Sequence, residues 1–130
     1  MADRADAIAR VREHFNSGAF LTELGRRVGY RTASQNPDSG AALRAYLVED
    51  LQPAFDALDF STRLIESPTG AGPYLFADYR EDASLPTLLT YGHGDVVDGM
   101  EGEWRDNLDP WKITTKGERV YGRGTADNKG

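Results

Sequence analysis

Apolar residues spaced three or four positions apart predict three helical segments in the first 60 residues. Ile8, Val11 and Phe15 share one face of a helix predicted over 4–16. The turn residue Gly18 then ends this helix. A second helix is predicted from Phe20 to about Val28, and the turn-forming stretch ASQNPDSG after it is predicted to be a loop.

The third predicted helix begins near Gly40 and is nearly five turns long. Pro53 lies inside it and should kink or break it, because proline lacks the backbone donor and clashes with the preceding turn. The apolar stripe that defines this helix consists of Leu43, Leu47, Leu51, Phe55 and Leu58.

The second half of the chain changes to short strand-like runs separated by turn residues. Strands are predicted at 61–66, 74–79 and 87–92, and a hairpin is predicted to pair 111–116 with 119–123. Helices followed by strands indicate an α/β domain with a mixed sheet. The largely apolar run 87–92 leads directly into the sequence HGDVVDG.

Composition excludes several classes of protein. The 130 residues include 21 acidic and 15 basic side chains, and this net charge of -6 argues against a nucleic-acid-binding module. There is neither a signal-peptide pattern nor an apolar run of about 18 residues, so no membrane span is expected and a cytoplasmic location is the default. Because cysteine is absent, any metal must be bound by His, Asp or Glu.

His93 and Asp95 are the first candidates for chemistry. Ligands of open α/β sheets gather beyond the carboxyl ends of strands, and both residues follow the predicted strand 87–92. Residues two apart in an extended segment point to the same side. This arrangement suits a metal-binding histidine whose other ring nitrogen is held by a carboxylate. The alternative is a surface turn, since a single His-x-Asp pair often occurs by chance.

Asp127 is the second candidate, in the sequence GRGTADNKG. Gly122 and Gly124 permit backbone conformations and close approaches that larger residues would block, as a loop at a buried metal centre requires. The alternative is that Asp127 is a turn former or a helix N-cap. Nucleophile-elbow and phosphate-loop motifs are absent, and Met100 interrupts a loose calcium-loop pattern, which predicts a solvated loop there.

In order along the chain, LLTYGHGDVV, Trp104, the triplet DPW at 109–111 and VYGRGTADNKG resemble the N-terminal part of the M20-type metallopeptidases. That family includes acetylornithine deacetylase, succinyl-diaminopimelate desuccinylase, aminoacylases and carnosinase-like dipeptidases. The resemblance covers roughly residues 86–130, and Trp111 replaces the phenylalanine that usually follows the proline. It implies an α/β fold, the N-terminal part of a mixed-sheet metallopeptidase catalytic domain flanked by helices.

The resemblance also implies roles for the three candidates. His93 would bind one zinc ion, Asp127 would bridge two zinc ions, and Asp95 would be the catalytic-site carboxylate that orients His93. The same ligands also accept cobalt or manganese. Two such ions activate water for attack on an amide carbonyl. The implied substrate is a small peptide or an N-acyl amino acid, with no nucleic acid or membrane as partner.

The resemblance further implies that residues 1–130 are only the N-terminal portion of the catalytic domain. The general base, the remaining metal ligands and an inserted lid or dimerisation domain would lie beyond Gly130, and the complete protein would be a candidate homodimer. Such a fragment is expected to be inactive by itself and to self-associate. The alternative function is a short, non-catalytic binding or assembly module with at most weak metal binding.

Overall fold

The chain has a helical first half and a second half of hairpins and loops. The structure is a computed structural model and describes residues 3–70 and 72–130. The helices are α1 (Arg4–Asn16), α2 (Ala19–Gly29), α3 (Gly40–Ala45), a π-helical segment (Tyr46–Leu51) and α4 (Gln52–Asp56). The strands are β1 (Ser61–Ile65), β2 (Tyr74–Asp78), β3 (Thr114–Lys116) and β4 (Arg119–Tyr121). Short 3-10 turns lie at Pro37–Ser39 and Arg105–Asn107.

The first two helices agree with the prediction from periodicity. Asp3 caps α1 by accepting from the backbone N–H of Asp6, whose own carboxylate accepts from the N–H of Asp3. The ring centroids of Phe15 and Phe20 lie 5.7 Å apart where α1 meets α2. Helix α1 nevertheless contains no buried residue, and Val11 is 70% exposed. The spacing of apolar residues therefore predicts the helix correctly, but it does not show whether the apolar face of the helix is buried.

The third predicted helix is a continuous helical stretch of irregular geometry. It is not broken at Pro53, because α4 continues to Asp56. Instead, the π-helical segment precedes the proline, and the backbone N–H of Gln52 donates to the carbonyl of Leu47, five residues earlier. A wider π-helical turn before Pro53 accommodates both the missing backbone donor of proline and the clash of its ring with the preceding turn. The prediction that Leu58 belongs to this helix is wrong, since the helix ends two residues earlier.

The strands form two separate antiparallel hairpins. In the first, β1 pairs with β2, with Arg63 opposite Phe76. In the second, β3 pairs with β4 on either side of Gly117, as predicted. Among the described residues these hairpins do not join into one mixed sheet, and the parallel pairing is a single bridge between Ala33 and Val96.

The predicted strand at 87–92 is wrong for the described chain. No strand is present there, and the side chains of Leu88, Leu89 and Tyr91 are 86%, 86% and 87% exposed. A strand requires a neighbour for its backbone hydrogen bonds, and an apolar run shows only that burial is favourable. We refer to Leu88, Leu89 and Tyr91 as the exposed apolar segment.

The small core lies where α2, the π-helical segment and the loop after residue 92 meet. It contains Leu24 and Val28 of α2, Tyr46, and the cluster of Ala33, Val96 and Trp111. Asp50 is also buried, and its carboxylate accepts hydrogen bonds from Arg26 and Arg27. None of the described helices has the length and apolarity needed to cross a membrane.

The exposed apolar segment generates the first prediction. Replacing Leu88 and Leu89 by Gln should reduce self-association without lowering the melting temperature, because these side chains pack on nothing in the described structure. Sedimentation velocity at several concentrations measures the effect. The control is Leu58→Gln, which also replaces an exposed leucine and should leave self-association unchanged. An equal effect of the control would show that self-association does not arise from this segment.

Candidate metal centre

The three side chains singled out from the sequence lie together, with His93 between two carboxylates. His93 Nε2 lies 2.9 Å from Asp127 Oδ1, and His93 Nδ1 lies 3.4 Å from Asp95 Oδ1. His93 Nδ1 is also 3.0 Å from the backbone carbonyl oxygen of Asp95. Each ring nitrogen of His93 thus faces its own carboxylate.

These residues open into a cleft of about 380 Å³. Its walls come from the loop after residue 92, from the 122–127 loop, and from Ser34 and Gln35 in the connection after α2. The side chain of Asp127 is 83% exposed, so much of its carboxylate faces solvent. The cleft can therefore admit an ion or a small polar ligand beside His93.

The surroundings of His93 favour its charged form. The pKa of His93 is raised, first by the hydrogen bond to the backbone carbonyl of Asp95 and then by the negative charges of Asp127 and Asp95. Partial desolvation opposes this shift. A metal ion at Nε2 must displace that proton, so metal binding here depends on pH.

The loop that carries His93 and Asp95 is held by the residues after α2. The backbone N–H of Val96 donates to the carbonyl of Thr32 at 2.9 Å, and the N–H of Ser34 donates to the carbonyl of Val96 at 3.2 Å. The buried hydroxyl of Thr32 donates to the carbonyl of Gly94 at 2.6 Å. Gly94 is required there, because a Cβ atom would overlap the ring of Tyr46.

The loop that carries Asp127 is folded against the same region. Gly124 has a φ of 87°, and a Cβ atom on it would lie 2.8 Å from Val96. The requirement for glycine predicted at this position is thus present in the geometry. The N–H of Arg123 donates to the carbonyl of Pro110 at 2.6 Å, and the N–H of Lys129 donates to the carbonyl of Gly124 at 2.9 Å.

Lys129 anchors this second loop to the end of α2. Its side chain is buried, and its Nζ donates to the carbonyls of Arg27 at 2.9 Å and Tyr30 at 2.7 Å. Nζ also lies 4.9 Å from the ring centroid of Tyr46. Burial lowers the pKa of Lys129 to about 8, while the charge of Asp50 acts in the opposite direction. An ammonium group here stabilises the negative end of the helix dipole.

Both tryptophans lie in the part of the chain between the two loops that carry His93 and Asp127. Trp111 is buried against Ala33 and Val96, and its indole N–H donates to the carboxylate of Glu101. The indole N–H of Trp104 donates to the carbonyl of Gly99 at 2.9 Å. Trp111 thus joins the loop before β3 to the core.

The donors present suit a divalent metal ion but do not complete its coordination. An imidazole nitrogen and a carboxylate oxygen face each other across 2.9 Å, and both are zinc-type ligands. The other nitrogen of His93 faces a carboxylate, as is usual for metal-binding histidines. Over 3–70 and 72–130, however, no group of three or more His, Asp or Glu side chains could hold an ion.

Comparisons with known proteins identify relatives in one family. The chain is 30% identical over 128 residues to a probable di- and tripeptidase, DUG2, of Saccharomyces cerevisiae, covering 88% of this chain and 14% of that protein. It is 40% identical over 86 residues to acetylornithine deacetylase of Vibrio campbellii, covering 66% of this chain and 21% of that protein. No protein-family model matches the chain.

A solved structure shows the same fold. Human carnosine dipeptidase 1 superposes with a TM-score of 0.69 at 26% sequence identity, covering 93% of this chain and 27% of that chain. Over most of its length, the chain is similar to one segment of the M20-type metallopeptidases. Its helices and small antiparallel sheets match M20 peptidase domains over most of the chain, so the predicted fold class is confirmed. It spans about a seventh to a quarter of the length of these M20 relatives.

Sequence reasoning missed the residues that support the candidate site. Ser34 donates to Asp95 Oδ2 at 2.7 Å, and Lys129 reaches the end of α2, but both contacts join residues far apart in sequence. ASQNPDSG, which includes Ser34, gave only a loop prediction. The sequence offered one hint of the anchoring contact, because Lys129 follows Asp127 by two residues in a glycine-rich loop.

The second prediction concerns the pKa of His93. NMR titration of the metal-free protein should give a value above the ordinary value of about 6.5. Asp127→Asn should lower it, because the carboxylate at 2.9 Å stabilises the imidazolium. Zinc affinity should accordingly rise as the pH increases through this pKa. Asp59→Asn, at an exposed aspartate, is the control and should leave it unchanged. An unshifted pKa in wild type would contradict the arrangement.

The third prediction concerns Lys129. Replacing it by Met should lower the free energy of unfolding by about 2 kcal/mol, because the hydrogen bonds from the charged Nζ to the carbonyls of Arg27 and Tyr30 are lost. Denaturant unfolding measures this loss. Lys112→Met, at an exposed lysine, should change stability little. If both variants unfolded alike, the side chain of Lys129 would not be an anchor.

Proposed function

We propose that this chain supplies part of the metal centre of a hydrolase that cleaves a peptide or N-acyl amino acid amide bond. The observation that carries the proposal is the convergence of His93 and Asp127 from two separate loops, with Asp95 behind His93. The relatives named peptidase and deacetylase support this class of bond.

In this proposal, the three residues have different roles. His93 binds a metal through Nε2, and Asp95 holds the imidazole from its Nδ1 side. Asp127 would hold both metal ions with its exposed carboxylate. A pair of zinc ions, or of cobalt or manganese ions, supplies water activation and polarisation of the substrate carbonyl when bound.

The rest of the proposed site comes from outside this chain. Over 3–70 and 72–130, the structure provides two converging ligands and a supporting carboxylate, which are too few to define a two-metal site. We place the remaining ligands and the general base in parts of the M20 relatives that this chain does not span. The isolated chain is then inactive as a hydrolase.

The proposed substrate is a small peptide or an N-acyl amino acid. Both classes stay in the proposal because the relatives include a di- and tripeptidase and a deacetylase. The lining residues of the cleft do not separate them. A homodimeric complete protein and a cytoplasmic location stay predictions from the sequence.

The fourth prediction tests this function in a complete protein that contains this sequence. Hydrolysis of dipeptides and N-acetyl amino acids should be lost on chelation and restored by zinc, cobalt or manganese. His93→Ala and Asp127→Ala should each lower kcat/KM by about a thousandfold or more, since each removes a metal ligand.

The control is His14→Ala, which removes a partly exposed helical histidine and should leave kcat/KM unchanged. The isolated 130-residue chain should show no turnover. Activity that survives chelation, or that persists in both ligand variants, would disprove the proposed function. Zinc binding by a naturally short protein without any turnover would favour the alternative of a binding module.

A further inference from the structure

We propose that Ser34 is a positioning residue, whose hydroxyl fixes the carboxylate of Asp95 in the orientation that faces His93. The consequence for metal binding rests on the function proposed above, whereas the positioning itself can be tested without a metal. Ser34 lies in the connection between α2 and α3, which contributes no proposed metal ligand.

The two oxygens of the Asp95 carboxylate have different partners. Ser34 Oγ donates to Asp95 Oδ2 at 2.7 Å, while Asp95 Oδ1 lies 3.4 Å from His93 Nδ1. The side chain of Asp95 is 44% exposed, so packing alone does not hold its rotamer. A short hydrogen bond to an ionised carboxylate is among the stronger polar contacts, and it favours one orientation over the others.

Ser34 is itself held by the backbone. On one side, its N–H donates to the carbonyl of Val96, and on the other the N–H of Val96 donates to the carbonyl of Thr32. The hydroxyl of the fully buried Thr32 adds a bond to the carbonyl of Gly94. Ser34 and Asp95 therefore sit on adjacent segments in fixed register, so the hydroxyl meets the carboxylate without a long, flexible side chain.

The fold does not depend on the Ser34 hydroxyl. The bonds that join 32–34 to 94–96 use backbone groups and Thr32, and the core beneath them is Ala33, Val96 and Trp111. Ser34 is exposed. Replacing it by Ala therefore removes the contact to Asp95 while leaving the supporting structure in place, which separates positioning from stability.

The test measures the rotamer of Asp95 in the metal-free protein by NMR coupling constants. Wild type should show one dominant χ1 rotamer, and Ser34→Ala should show averaging over several. Ser34→Thr keeps the hydroxyl and should restore the single rotamer. Ser84→Ala is the matched control, because the exposed Ser84 also donates its hydroxyl to an aspartate carboxylate, that of Asp82, and does not line the cleft. It should behave as wild type.

Amide exchange of Val96 completes this measurement. Its protection should be equal in wild type and Ser34→Ala, which shows that the segments remain paired. An averaged Asp95 rotamer in wild type, or a single unchanged rotamer in Ser34→Ala, would overturn the positioning role. Loss of Val96 protection in Ser34→Ala together with Ser34→Thr would assign Ser34 a purely structural role and would likewise overturn it.

Zinc titration by calorimetry of a complete protein that contains this sequence tests the consequence for the metal centre. Ser34→Ala should bind zinc about tenfold more weakly, the lower end of the effect of removing groups that support a metal ligand. Ser34→Thr and Ser84→Ala should bind as wild type, and His93→Ala should lose binding.

The two readouts separate the two hypotheses. Absence of zinc binding in wild type would contradict the proposed function, while the Asp95 rotamer would still decide the role of Ser34. A rotamer change in Ser34→Ala with unchanged zinc affinity would overturn the claim that this positioning serves the metal centre.

Discussion

The arrangement of the candidate site depends on the buried ammonium group of Lys129. A charge in the interior of a protein is tolerated only when it is paired or hydrogen-bonded. Here the carbonyls of Arg27 and Tyr30 at the end of α2 accept from Nζ, and the buried carboxylate of Asp50 partly offsets the lowering of the lysine pKa by burial. Because Lys129 follows Asp127 by two residues, this contact determines where the second candidate ligand lies.

The same short connection supports the first candidate ligand. Residues 27–30 receive Lys129, and residues 32–34 pair with 94–96 beside His93. A segment without any proposed ligand therefore sets the relative position of two loops that carry them. This is a common solution, since loops place functional side chains accurately only when a rigid scaffold holds the loops.

Periodicity predicted the regular elements well because each depends on local spacing. Helix α1, helix α2, the strands β1 and β2 and the second hairpin lie where the sequence places them. The failure at 87–92 has a different origin: an apolar run reports a preference for burial, but pairing depends on another segment that no local pattern identifies. The π-helical segment was not predicted either. Pro53 indicates a disturbance of the helix, but the sequence does not show that a wider turn before the proline accommodates it.

For the site, short motifs identified the reactive side chains but not their supports. His93, Asp95 and Asp127 stand out because few other residue types do metal chemistry in a chain without cysteine. Ser34 and Thr32 are ordinary loop residues in sequence, and their importance arises from contacts across about 60 positions, as for the Ser34–Asp95 bond. Such contacts become visible only once the chain is folded.

The buried ring of Tyr46 has a consequence for motion. It occupies the space beside Gly94 that a Cβ atom would need, and it also lies beneath the ammonium group of Lys129. One side chain is thus shared by the two loops. Neither loop can open fully without exposing this ring or removing a contact of the other loop, so both should exchange their amide hydrogens as one cooperative unit. The two candidate ligands would then be gained and lost together, not one at a time.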